Sequence, residues 1–352
     1  MRIETHRFTD LNDLIVDRWR HWIAADPSFQ SAFLHPEFCR AVHAVSSNVE
    51  VAVAFEENDP IAVLPFQRIS KRSAGPVGGF LSDRHGWVSK PGKRLNLSSF
   101  LELTDISSFR FHMLPADEIP EVRCMAIRRT VVFADLSMGF NAYNQRRKQL
   151  GSNVVSKLAQ KERKISNEVG PLQLVEGFTE DGFQSLLRWK QVACDNRRVK
   201  NVLATRCAQA TLRHFFESES DDFRPQFLRL MAGDHLVAVH LGLICHQRVA
   251  AWFPAFNPHY ARYSPGLLIL LQLLRKCESW GITRVDFGNG EMGFKERFMT
   301  DESTMLEGIV DQNLFNAIFH CGWLKTRDWA KSSQLQPLLQ RVWHYCRTRS
   351  SD

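Results

Sequence analysis

Residues 235–298 read HLVAVHLGLICHQRVAAWFPAFNPHYARYSPGLLILLQLLRKCESWGITRVDFGNGEMGFKERF, and their reading decides the fold. From His235 to Ile244 the residues alternate as in a strand. A short polar break, Cys245–Arg248, leads into a second strand from Val249 to Phe256. Asn257-Pro258 then signals a turn, which reaches Tyr263-Ser264-Pro265-Gly266. The almost wholly apolar run Leu267–Leu274 predicts a buried helix face, ended by Gly281. Ile282–Phe287 is one more short strand. The order is hairpin, loop, helix, strand, with small residues where the helix begins.

A helix that starts after a tight loop presents backbone N–H groups and the positive end of its dipole, equivalent to roughly +0.5 charge. Both favour a phosphate at Ser264-Pro265-Gly266. Proline lacks an N–H where none is needed, and glycine lets a ligand approach the backbone closely. Arg262 stands beside the loop and adds a charge-assisted contact. The same residues also read as an ordinary capped helix, with Ser264 as N-cap and Pro265 at the first position. Spacing alone leaves both readings open.

Tyr260-Ala261-Arg262-Tyr263-Ser264-Pro265-Gly266, Gly281, Asp286-Phe287-Gly288-Asn289-Gly290 and Phe294-Lys295 together resemble the signature of one acyltransferase family. It is the GNAT-fold family labelled cellulose-biosynthesis-associated (CelD-like) acetyltransferases, related to the tandem-domain Fem peptidyltransferases. The match is strongest over residues 225–300 and reaches back more weakly through Arg188-Trp189-Lys190-Gln191 to a basic helix near 145–169. The resemblance implies an α/β (α+β) fold of tandem GNAT-like domains, with mixed central sheets flanked by helices. It also implies a loop and helix that hold the pyrophosphate of acetyl-CoA or another acyl-CoA as co-substrate. Related proteins use aminoacyl-tRNA instead.

The chain has 352 residues, enough for two cores. Hydrophobic residues make up 44% and charged residues 24%, the balance of a folded globular protein. A net charge of +7 suits polyanionic partners such as CoA phosphates, tRNA or an anionic membrane face. Eight cysteines are scattered with no C-x-x-C pair, and no His/Cys cluster has zinc spacing, so no metal and reduced thiols are expected. The N-terminus lacks an apolar signal core and no apolar run reaches about 18 residues. The expected location is therefore cytoplasmic, with attachment to a membrane complex left open.

Along the chain, residues 11–23 and Ser31–Val45 are predicted helices. Val49–Phe55 and Ile61–Phe66 form a hairpin, and the Gly/Ser-rich segment 73–92 is a long loop crossing the sheet or a cleft. Phe100–Leu103, Ser108–Leu114 and Thr130–Leu136 are predicted strands. The second round runs helix 179–195, helix 205–219, hairpin 226–256, loop, helix, strand. This similarity of order suggests two copies of one unit, the first degenerate. The expected domains are 1–138, a basic helical connector 139–170 in which Gly151 separates two helical pieces, and an acyl-CoA-binding unit 171–352. The cations of the connector, represented by Arg147 and Lys157, form either a solvated face or a rim for CoA or tRNA phosphates. A basic tail with Trp323, Trp329 and Trp343 at helical spacing either packs back or docks on a membrane or partner.

Acyl transfer from a thioester to an amine needs a neutral amine, a polarised carbonyl and help for a thiolate whose ordinary pKa is about 8.5. Positioning and oxyanion stabilisation can supply this without a covalent nucleophile. No G-x-S-x-G elbow is present, nor a cysteine in a catalytic context. Trp252-Phe253-Pro254 interrupts regular pairing, so backbone there is expected to polarise the thioester carbonyl, although strand termination explains Pro254 equally well. Asp286, after an apolar strand and before Gly288-Asn289-Gly290, either orients the acceptor amine and takes its proton or anchors the turn. The resemblance gives Lys295 a contact to phosphate or to the acyl carbonyl. Where the family commonly has tyrosine this chain has Phe294, so Tyr260 or Tyr263 would have to supply that hydroxyl. The expected catalytic set is Asp286, Lys295 and Tyr263. The co-substrate set is Trp252, Phe253, Arg262, Ser264, Pro265, Gly266 and Leu267. The resemblance places Trp189, Lys190 and Arg197 near the acceptor, although Trp189, at helical spacing with Leu186 and Leu187, also reads as core; Glu291 joins the acceptor set as a secondary base candidate.

The expected activity is N-acylation of a small-molecule or sugar-like amine in extracellular polysaccharide or envelope biosynthesis. Two alternatives stand beside it: an aminoacyl-tRNA-dependent Fem-like transferase, and a non-catalytic accessory of a membrane-associated polysaccharide synthase complex.

Overall fold

A computed structural model of the chain describes residues 1–118, 124–218, 220–288 and 293–332. The first half contains strand β1 (Arg2–Arg7), helices α1 (Asp13–Ala25) and α2 (Pro36–His43), and strands β2 (Val49–Glu56) and β3 (Asp59–Ser70). Short strands β4 (Ser73–Gly75) and β5 (Val88–Ser89), helix α3 (Leu97–Leu103) and strands β6 (Ser108–Pro115) and β7 (Cys124–Asp135) complete it. Helices α4 (Gly139–Gln149) and α5 (Val154–Glu168) connect the halves, with Gly151 between them at φ 80°. The second half runs β8 (Leu172–Glu176), α6 (Glu180–Arg197), α7 (Arg206–Phe215), β9 (Phe223–Ala232), β10 (His235–Cys245) and β11 (Arg248–Phe256). It ends with α8 (Pro265–Lys276), β12 (Arg284–Asp286), the single turn α9 (Lys295–Phe298), β13 (Asp301–Asp311) and α10 (Leu314–Ser332).

The two halves repeat one order of elements. β1 and β8 each open a half and pair antiparallel with β2 and β9. Two helices follow in each, then a meander, and then a parallel step, β4 to β6 in one half and β11 to β12 in the other. The strands join in one sheet of order β1-β2-β3-β4-β6-β13-β7-β12-β11-β10-β9-β8, with β5 on β3. That order reads the same from either end when equivalent strands are exchanged. Each half's last strand has crossed over: β13 pairs with β6, and β7 pairs with β12. The two crossed strands lie antiparallel at the centre, from Asp301 opposite Phe133 to Val310 opposite Cys124.

Helices cover both faces of this mixed sheet. On one face α1, α2, α6 and α7 share a core in which Trp19, Phe38, Phe183, Phe215 and Phe223 are buried. On the other, α8 sinks into the second half beside α5, and Leu268, Ile269, Leu270, Leu271, Leu273 and Leu274 all lose contact with water. A helix apolar on nearly every side belongs inside, and each such side chain contributes roughly 1.5–3 kcal/mol on burial.

Three local expectations are corrected. Phe100–Leu103 lies in helix α3, because Asn96 caps it by accepting from the Ser98 and Ser99 N–H groups at 3.0 and 3.3 Å. The helix expected over 31–45 is split into a 3-10 turn, Ala32–Leu34, and α2. His35 precedes a proline, which disfavours helical backbone, and its Nδ1 instead accepts from the Glu37 N–H at 3.2 Å. Gly281 does adopt φ 68°, but it ends a 3-10 turn that follows α8 rather than α8 itself.

Candidate active site

β11 and β12 run side by side for only three residue pairs, Arg248–Ala250 against Arg284–Asp286. On its other edge β11 sets Ala251 and Trp252 against Gly242 alone, a β-bulge between the pairs Leu243–Ala250 and Leu241–Phe253. Gly242 permits it: a Cβ there would come within 2.9 Å of the Ala250 carbonyl oxygen and of His240 Cε1. Past the bulge β11 keeps β10 as its partner to Phe256 while β12 has ended, so the sheet opens. Pro254 sits in this one-sided stretch opposite His240, and it marks the opening rather than the end of the strand.

The opening forms one wall of a cavity of about 440 Å³ between the halves. Trp252, Asp286 and Gly288 line it from the second half, and Phe33, Asp83 and Arg84 line it from loops of the first. Lys295, at the start of α9, is 6% exposed and donates from Nζ to the Gly288 carbonyl at 3.0 Å. The Asp83 carboxylate lies against Gly288, where φ is 64° and a Cβ would overlap it. Burial pushes the Asp83 carboxyl above its usual range, Lys295 opposes that rise, and Asp286 adds to it. Burial likewise pulls the Lys295 ammonium down, against the attraction of Asp83. Each group is thus held closer to neutrality than in water.

Lys190, on α6, faces the same region with Nζ 5.6 Å from the centre of the Phe253 ring. Burial brings its pKa down to about 8, with Cys194 opposing and the cations Arg197 and Lys295 assisting. His240 is wholly buried on β10, and burial brings it to about 3, so its ring is neutral. Asp286 accepts from Arg284 Nε at 2.7 Å, and that guanidinium lies 3.5 Å from the centre of the Phe133 ring. Trp252 packs edge-on against Phe33 at 5.5 Å and stacks with Phe253 at 4.6 Å. Trp189 belongs to the same aromatic core, whereas Arg197 is exposed in the last turn of α6.

The corner before α8 lies elsewhere. Ser264 is left-handed at φ 58° and makes no side-chain cap; its carbonyl instead accepts from the Leu267 and Leu268 N–H groups at 3.0 and 3.1 Å. Pro265 is buried and Leu267 half-buried. The Phe256 ring packs at Gly266, where a Cβ would stand 2.9 Å from Cδ1. Tyr263 is 1% exposed, donates to Glu168 Oε2 at 2.6 Å and accepts from Arg262. Arg262 pairs with Glu168 at 3.2 Å, and Lys161 donates to its carbonyl at 2.7 Å. Asp286, Lys295, Lys190, Trp252 and Phe253 are therefore brought together, while Tyr263, Arg262 and the Ser264–Leu267 turn form a separate corner against α5. Glu291 and Trp343 lie outside the described residues.

Arg147 is not a rim cation. It is 5% exposed and donates to the carbonyls of Glu296, Arg297 and Met299, clamping the turn that carries Lys295. Lys157 is exposed. The sequence reading missed Asp83, Arg84, Arg248 and Arg284; His240, which reads from sequence as a satisfied packing residue, is buried with neither ring nitrogen hydrogen-bonded among the described residues. The signal for the first two was the long Gly-rich loop itself, since such loops carry function more often than scaffold. Among the described residues no helix is long and apolar enough to cross a membrane, and no His/Cys/Asp/Glu group is placed to hold a metal ion.

This fold is one of tandem GNAT-like units joined in a mixed sheet. Residues 152–296 match the family model described as an acetyltransferase (GNAT) domain. Among solved structures, the chain is similar to the C-terminal domain of a protein described as a lysylphosphatidylglycerol synthetase from Agrobacterium fabrum. That likeness has 12% identity and a TM-score of 0.54, and covers 89% of this chain and 98% of that one. FemX is similar at 8% identity with a TM-score of 0.54, over 90% of this chain and 98% of that one. At such identities the likeness is one of fold. No curated protein sequence matches the chain.

Proposed function

We propose that the chain transfers an acyl group from an acyl-CoA to an amine, with the cavity beside β11 and β12 as the reaction site. The observation that carries this reading is the opened sheet at the Ala251-Trp252 bulge with Lys295 and Asp83 beside it. Backbone of β11 past the bulge, which β12 does not reach among the described residues, and the Lys295 ammonium would polarise the acyl carbonyl, the type of preorganised stabilisation that lowers an acyl-transfer barrier most. A neutral amine attacks that carbon, the C–N bond forms and the C–S bond breaks. The amine proton passes to the Asp83 carboxylate and on to the departing thiolate, giving an amide and free CoA. Asp286, already tied to Arg284, orients the amine and is less suited to take its proton.

The resemblance to cellulose-biosynthesis-associated acetyltransferases supports a small or sugar-like amine used in polysaccharide or envelope synthesis. The acyl-CoA phosphates are assigned to the Ser264–Leu267 corner of the unit 171–352. Gly266→Asp is expected to abolish CoA retention with the circular dichroism spectrum unchanged, and unaltered CoA binding would refute that corner as the cradle. Binding is read by thermal shift, since a ligand at a hundred times its Kd stabilises by about 2.7 kcal/mol.

If Asp83 accepts the proton, kcat/KM falls as pH drops through its raised pKa, above the ordinary aspartate value of about 3.9. Asp83→Asn should lower the plateau and remove that acid limb. A retained limb in the variant assigns the proton elsewhere.

An aminoacyl group delivered on tRNA is the second reading. The exposed Lys157, Arg163 and Lys164 on α5, next to the Arg262 corner, favour it, as does the fold shared with FemX. Tighter binding of charged tRNA than of CoA, falling steeply with salt, would select it.

A further inference from the structure

The cavity holds more cationic groups than acyl transfer uses. Arg248 and Arg284 are direct partners on the parallel strands β11 and β12, so their side chains leave one face side by side. Val249 is buried beneath α8, and Arg248 therefore points away from that helix and from the Ser264–Leu267 corner. Arg84 approaches from the opposite wall, donating to the Ser28 carbonyl and to Met305 Sδ at 3.3 Å each. Arg284 is engaged by Asp286. Arg248 is half-buried and lines the cavity, yet it makes no hydrogen bond or ion pair with any described residue. The Ser303 hydroxyl, lining the same space from β13, is also buried without a partner.

A buried hydroxyl without a partner, as at Ser303, is costly, and Arg248 stands half-buried among the like charges of Arg284 and Arg84, with Asp286 as the opposing charge.

We propose that Arg248, flanked by Arg284 and Arg84 in the cavity that Ser303 also lines, binds an oxyanion group of the acceptor, so that the amine acylated here also carries a phosphate or a carboxylate. A forked guanidinium is the side chain suited to either group, through paired N–H···O bonds. The word acceptor rests on the acyltransferase reading; the anion site does not.

The test is calorimetric titration of inorganic phosphate and of succinate into the full chain and Arg248→Gln, with ionic strength held constant by sodium chloride. At least one oxyanion should bind the wild type, and the tighter of the two identifies the group. Arg248→Gln should weaken it by about tenfold or more, the worth of one charge-assisted hydrogen bond. Its unfolding temperature without ligand should be equal or higher, because an unpaired charge has been removed. Arg248→Lys, which keeps the charge and loses the fork, should fall between. Saturating CoA should leave the anion bound. Binding of neither anion to the wild type, equal affinity in Arg248→Gln, or displacement of the anion by CoA overturns the proposal, the last by giving these arginines to the donor. A chain that ignores CoA but still loses the anion in Arg248→Gln removes the donor reading and leaves this site standing.

Discussion

Replacing Lys295 by methionine is expected to lower kcat by about 10²–10³ while the donor KM changes little, the pattern of an interaction made mainly in the transition state. Methionine keeps most of the buried stem, so the fold should hold. Lys295 also restrains the rise of the Asp83 carboxyl. Without it that carboxyl moves further up, and the acid limb of the rate profile shifts to higher pH. Release of the CoA thiol, followed against pH for both proteins, measures the two effects together. A variant within threefold of wild type at every pH would remove Lys295 from the reaction.

Gly308→Val is expected to be the most damaging single change to the fold. Gly308 lies on β13 where the register against β6 shifts between Leu306 and Gly308. On the β7 side a Cβ would overlap the Met125 carbonyl oxygen and sit 2.8 Å from Ala126 Cα. The nearest atoms are backbone of β7, which cannot swing aside as a flexible side chain would, and strand separation should cost about 3 kcal/mol. Urea unfolding monitored by tryptophan fluorescence reads the loss. Activity should fall with it, because Ser303 and Met305 on the same strand line the cavity. Unchanged stability would mean that β13 does not pass between β6 and β7 as described.

The hairpin 235–256 and the greasy helix after it were legible because both periodicities are strong there and turn residues bound them. β13 was not, since Asp301, Glu302, Ser303 and Thr304 give its first part the look of a loop; its apolar residues come only at the end. The crossing of β7 and β13 is a pairing across more than a hundred residues, and no local pattern encodes it. Within the site, Asp286 stood out by its place after a core strand and before a glycine turn, whereas Lys295, beyond that turn, stood out only through the family resemblance. Asp83 did not, because its importance comes from contact with Gly288, which only the fold brings about. Tyr263 and Arg147 show the reverse failure. Their chemistry suggested a ligand, and burial against Glu168 and the carbonyls of 296–299 gave each a structural task instead.

The crossed strands have a consequence for ancestry and for dissection of the chain. A palindromic sheet is what remains when two identical subunits that traded their last strands are joined end to end. Cutting at the Gly151 joint should therefore yield two pieces that are each incomplete alone and recover shape only when mixed. Neither copy is then free to be discarded, however quiet its own chemistry has become.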